Sequence, residues 1–241
     1  MKNLIVFGDS FNALNKDYKG THWSEVLSER HGLNLISLAR HGCSTRFIVF
    51  QMLHALEHSL KPFEENTIII GSHSSSFTRI ELLTKDGYAD RSDIQLDSFE
   101  NFDIDNKDKP FMKSINLFTI ANDNTIPDNV KDVLLTKIPS GMNYHIDIWG
   151  MFYALHQLKK NNAKFLYMPN LLFPEADLFD DNELIAQFGK EHILDEFSFE
   201  PYYIDRDANP TFKDPGYHTT PESQIEIANI IEARLKLQGL L

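Results

Sequence analysis

Ser10 is the first residue of the chain in a chemically suggestive place. It follows the apolar run Leu4 to Phe7 and the pair Gly8-Asp9. A serine there stands at the carboxyl end of a buried strand, where a following helix N-terminus could stabilise developing negative charge. Such a serine could act as an acyl-accepting nucleophile. The same tripeptide also makes an ordinary turn with a helix cap, and Gly-Asp-Ser alone leaves both readings open. Among the ten histidines, His54 and His58 stand four apart on an expected helix, a spacing that places two ligands on one face. Glu57 is out of place for the zincin pattern, so these residues are expected to be solvated or capping, and no metal or organic cofactor is expected. Cys43 is the only cysteine, which rules out an intramolecular disulfide and a Cys-based zinc site. Nothing beside it clearly depresses its pKa, so it is expected to pack as a small apolar residue.

These residues need elements to hold them. Leu4 to Phe7 is apolar throughout, as in a strand buried on both faces, and the largely apolar segments Leu33 to Leu38, Thr67 to Ile70 and Ala163 to Met168 are expected to be strands too. Helical spacing recurs over Arg46 to Leu60 and Ile146 to Leu158, the second placing Trp149, Phe152 and Tyr153 in the core. Ser24 is the expected cap of a helix ending at Gly32, and Thr219 with Glu222 has capping-box spacing ahead of a C-terminal helix. The alternation predicts an α/β fold: a three-layer α/β/α sandwich around a mostly parallel sheet of about five strands, with ligands at the strands' carboxyl ends. One domain over 1–241 is expected, elaborated at about 83–144 and 170–213, because no linker divides the chain.

A formal charge of −12 argues against nucleic acid as a partner, since phosphate backbones are held by clustered Lys and Arg. No stretch is long and apolar enough to span a bilayer, and the run Leu4 to Phe7 is too short for a signal peptide. A single cysteine and no leader fit a cytoplasmic protein.

Four blocks then resemble the SGNH/GDSL hydrolase family, in the family's order. Leu4-Ile-Val-Phe-Gly-Asp-Ser-Phe-Asn12 looks like its first block, which would make Ser10 the nucleophile and its N–H an oxyanion donor. Ser37-Leu-Ala-Arg-His-Gly-Cys-Ser44 is similar to the second, in which the backbone N–H of Gly42 would be another donor. Gly71-Ser-His-Ser74 stands at the third, where the family has a side-chain Asn; here it is His73, whose imidazole N–H can also donate if the tautomer suits. Asp214-Pro-Gly-Tyr-His-Thr-Thr-Pro221 resembles the last, implying His218 as general base and Asp214 as its orienter, with one residue more between them than the family uses. Asp205, Asp207 or a backbone carbonyl are the other candidates for that orienting role.

The resemblance implies acyl transfer from a small-molecule or glycan ester to water. Asp9, Ser72, Ser74, Arg46, Arg79 and Tyr217 would be possible substrate contacts, with Tyr202 and Tyr203 nearby. For the arginines, an ion pair within the fold is an equal expectation. Two rivals remain at this stage: an acyltransferase on the same fold, and a binding or structural protein that lost efficient chemistry when His73 replaced the Asn.

Overall fold

The computed structural model describes residues 2–14, 19–41, 43–54, 56, 67–74, 79–83, 112–116, 128, 131, 140–169, 181–195, 197, 199–202 and 218–241. Four parallel strands form the sheet: β1 (Asn3–Phe7), β2 (Asn34–Ser37), β3 (Thr67–Gly71) and β6 (Lys164–Tyr167), in the order β2-β1-β3-β6. About five strands were expected; the two further strands, β4 (Arg79–Leu83) and β5 (Met112–Asn116), pair antiparallel with each other in a separate sheet. The helices are α1 (Trp23–His31), α2 (Thr45–His54), α3 (Ser140–Lys160), α4 (Asp181–Phe188) and α5 (Pro221–Leu237).

Strand pleat decides which layer each residue joins. Leu4, Val6, Ile68, Ile70 and Leu166 point to one face and pack with Trp23 and Leu27 of α1 and Ile227, Ala228, Ile231 and Leu235 of α5. Ile5, Phe7, Ile69, Phe165 and Tyr167 point to the other, against Phe47 and Ile48 of α2, Met151, Leu155 and Leu158 of α3, and Leu184 and Phe188 of α4. The result is the expected three-layer sandwich. Cys43 is buried in the second core, as expected.

Three local expectations are corrected. The α1 cap is His22, not Ser24, with its side chain accepting from the Ser24 N–H and Glu25 completing the box; Gly32 ends the helix in the left-handed conformation as expected. The α5 cap is Thr220, accepting from the Ser223 N–H, which leaves the Thr219 hydroxyl for another partner. On α3, Trp149 and Tyr153 are exposed instead of joining the core, while Phe152 packs against it partly buried. Among the described residues no helix is long and apolar enough to cross a membrane.

Candidate active site

β1 and β3 lie side by side and run parallel, so the turns at their carboxyl ends are neighbours. At the end of β1, Gly8 adopts φ 144°, and a Cβ on it would overlap the Asn12 amide. Glycine is required there on both counts. The chain then folds into a turn in which the N–H groups of Asn12 and Ala13 both donate to the Asp9 carbonyl at 3.0 Å. The Asp9 carboxylate accepts from the Phe11 N–H at 3.2 Å and is fully buried, which gives it a turn-forming role. Among the described residues no helix begins at this turn, and α1 starts at Trp23.

Ser10, near the middle of that turn, has its hydroxyl 3.0 Å from His218 Nε2. These two residues are 208 positions apart in sequence. His218 precedes the α5 cap, has a left-handed backbone at φ 57° and is partly buried beside the Phe11 ring, centroid to centroid 5.2 Å. With Nε2 accepting from the Ser10 hydroxyl, the imidazole can take its proton, provided its own proton sits on Nδ1.

Past β3, Ser72, His73 and Ser74 are buried. The Asn12 amide donates to Ser72 Oγ at 2.6 Å, and Ser72 Oγ donates to the His73 carbonyl at 3.1 Å, which ties the Ser10 turn to the third block. Ser74 Oγ donates to the Cys43 carbonyl at 2.9 Å, joining the third block to the second. The serines expected to touch substrate thus lock the blocks together. His73 Nδ1 lies 2.6 Å from the Tyr167 hydroxyl at the end of β6, and both side chains are buried. If the phenol donates to Nδ1, the proton of a neutral imidazole sits on Nε2, the tautomer able to donate to an oxyanion.

Arg46 forms an ion pair with the buried carboxylate of Asp147, Nε to Oδ1 2.6 Å, which joins α2 to α3. That is the ion-pair alternative of the two expected for it. Tyr202 packs partly buried against the α1/α5 core, and burial pushes its hydroxyl pKa up. Gly42, Tyr203, Asp205, Asp207, Asp214 and Tyr217, His58, and the side chains of His54 and Arg79 lie outside what is described. Among the described residues no three His, Cys, Asp or Glu side chains gather as a metal site would require.

Three side chains around the site escaped the sequence reading. Tyr167 closes an apolar strand and reads as core. His22 is buried, and burial pushes its pKa down from 6.5 to about 3, so it is neutral at pH 7; its Nε2 lies 3.1 Å from the Phe11 carbonyl. Its signal was Glu25 three residues on, the spacing of a capping box with an unusual cap. Gln224 is the third, a polar residue on the buried stripe of α5 with Ile227, Ala228, Ile231 and Leu235.

No family model matches the chain, and no match is found among curated proteins. Solved structures do match. "TesA" aligns over 100% of both chains at 12% identity with a TM-score of 0.52. The psychrotrophic esterase EstA from Pseudoalteromonas sp., in a structure inhibited by monoethylphosphonate, aligns over 99% of this chain and 98% of its own at 11% identity and a TM-score of 0.51. A member of the lipolytic protein G-D-S-L family from Veillonella parvula DSM 2008 aligns over 97% and 95% at 12% identity and a TM-score of 0.42. At these identities the likeness to the first two is one of fold alone.

Proposed function

We propose that this chain is a serine-dependent ester hydrolase with Ser10 as nucleophile and His218 as general base. The observation that carries the reading is the 3.0 Å approach of Ser10 Oγ to His218 Nε2 across 208 residues of sequence. In a shared fold, that contact stands where the first and last sequence blocks meet. His218 Nε2 takes the hydroxyl proton as Ser10 Oγ attacks the ester carbonyl. The tetrahedral oxyanion is met by the N–H groups of Ser10 and Gly42 and by His73, in place of the family's Asn. The imidazolium returns its proton to the departing alcohol, leaving an acyl-enzyme; His218 then deprotonates a water that releases the acid. We assign Asp214 to hold the Nδ1 proton. The substrate class is a small-molecule or glycan ester. That EstA is described as inhibited by a phosphonate makes phosphonates a natural first probe.

The test is labelling with a fluorophosphonate, with the adduct located by peptide mass spectrometry. An adduct on Ser10 is expected in the wild type, with none in Ser10→Ala and labelling slowed at least a thousandfold in His218→Ala at unchanged far-UV dichroism. Folded wild-type protein that carries no adduct on Ser10 would overturn the assignment in favour of a binding protein on a hydrolase fold.

A further inference from the structure

Neither Ser10 nor His218 stands on a helix or strand, yet acyl transfer needs their separation fixed to a fraction of an ångström. Ser10 lies in the turn after β1. His218 has a left-handed backbone, φ 57°, a conformation an L side chain keeps only when its surroundings impose it.

Its surroundings are specific. Thr219, next in the chain, is fully buried, and its Oγ accepts from Gln224 Nε2 at 2.7 Å. The other end of that amide, Oε1, accepts from the backbone N–H of Trp23 at 2.8 Å, 201 residues away at the first position of α1. The orientation of the amide is fixed, because a backbone N–H can only donate and must face the oxygen. One residue earlier, His22 Nδ1 accepts from the Ser24 N–H, which puts the ring proton on Nε2, and Nε2 donates to the Phe11 carbonyl at 3.1 Å. Phe11 adjoins Ser10. Two consecutive residues at the start of α1 therefore hold the immediate neighbours of both members of the Ser10–His218 pair, and the three side chains involved, His22, Thr219 and Gln224, are shielded from water.

We propose that the N-terminus of α1 is a bracket that sets the Ser10–His218 separation, with His22 positioning the nucleophile turn and Gln224 positioning the histidine. This rests on the reading of Ser10 and His218 as the reacting pair. The unpaired N–H groups at a helix start supply the anchor point. The hydrogen bonds are buried and lie between 2.7 and 3.3 Å, so little slack accumulates between the two reacting atoms. A displacement of about 1 Å at a reacting group typically lowers the rate about a hundredfold.

The experiment compares Thr219→Val, Thr219→Ser, Gln224→Met and Arg30→Ala with the wild type. Thr219→Val is close to isosteric and leaves the Gln224–Trp23 bond in place. Arg30 ties the far end of α1 to α5, through Asn229 at 2.7 Å and Glu232 at 2.8 Å, and serves as a control for general loosening of that packing. Two quantities are read below the unfolding midpoint: the fluorophosphonate labelling rate at Ser10, and the titration of His218 by NMR of histidine-labelled protein. Thr219→Val and Gln224→Met are expected to slow labelling about ten- to a hundredfold and to move the His218 midpoint. Thr219→Ser restores both, and Arg30→Ala lowers Tm while leaving both alone. Variants that lose Tm yet keep the wild-type rate and titration would overturn the bracket. If the wild type itself is not labelled, the hydrolase reading fails, and the His218 titrations still decide the bracket by themselves.

Discussion

Acidification should destabilise the fold through His22. Its ring is fully buried at the start of α1, and burial holds its pKa at about 3 against 6.5 in a free chain. The charged groups nearest its own helix turn do not reverse this: the Glu25 carboxylate is engaged by the backbone N–H groups of Gly20 and His22. A base whose folded pKa is depressed binds its proton more readily once unfolded. Its contribution to stability is therefore complete above about pH 6.5 and drains away as pH falls toward 3. At about 1.36 kcal/mol per pH unit the full effect is on the order of 5 kcal/mol, and roughly half of it is gone by pH 4.5. That is a large share of the 5–15 kcal/mol typical of a folded domain.

The assay is urea unfolding of wild type and His22→Asn at pH 7.5 and 4.5. Asn caps a helix, does not titrate in this range and is too short for the Phe11 carbonyl, so at pH 7.5 the variant should be less stable by about 2 kcal/mol. At pH 4.5 the difference should vanish or reverse, because other titrating groups cancel between the two proteins. A difference that stays constant between the two pH values would refute the claim that a neutral, buried His22 is part of the folded state.

Two further outcomes follow from the site. Gly8→Ala places a Cβ into the Asn12 amide at φ 144°; it should lower stability by about 3 kcal/mol in chemical denaturation and sharply reduce Ser10 labelling, because Asn12 can no longer hold Ser72. Tyr167→Phe removes the partner of His73 Nδ1 and should lower kcat for ester hydrolysis about tenfold, against about a hundredfold for His73→Leu. The double variant should be no slower than His73→Leu alone if Tyr167 acts through that imidazole.

What the sequence revealed of this fold is what neighbouring residues determine together. Leu4 to Phe7 and Thr67 to Ile70 read as buried strands, and β1 and β3 lie paired with Ile5 opposite Ile69. The ends of elements were less legible, because a cap depends on a single position. Ser24 and Thr219 are better caps by type than His22, yet His22 caps α1, and Thr219 gives way to its neighbour Thr220. The reason is tertiary. Ser24 and Thr219 are both fully buried where α1 meets α5, and the Thr219 hydroxyl is already taken by Gln224. The same holds across the site. Ser10, His73 and His218 could be singled out from short blocks because each follows or precedes a recognisable element. Tyr167 and Gln224 could not, since Tyr167 meets His73 across 94 residues, Gln224 meets the Trp23 N–H across 201, and their own surroundings read as strand end and helix stripe. A buried glutamine on an otherwise apolar stripe is nevertheless a local anomaly. A polar side chain surrounded by Ile227, Ala228 and Ile231 on that face must find partners or destabilise the helix it stands on. On α5 those partners are the first backbone N–H of α1 and the residue beside His218. The least conspicuous polar residue of the core is therefore the one that joins the two ends of the chain at the site.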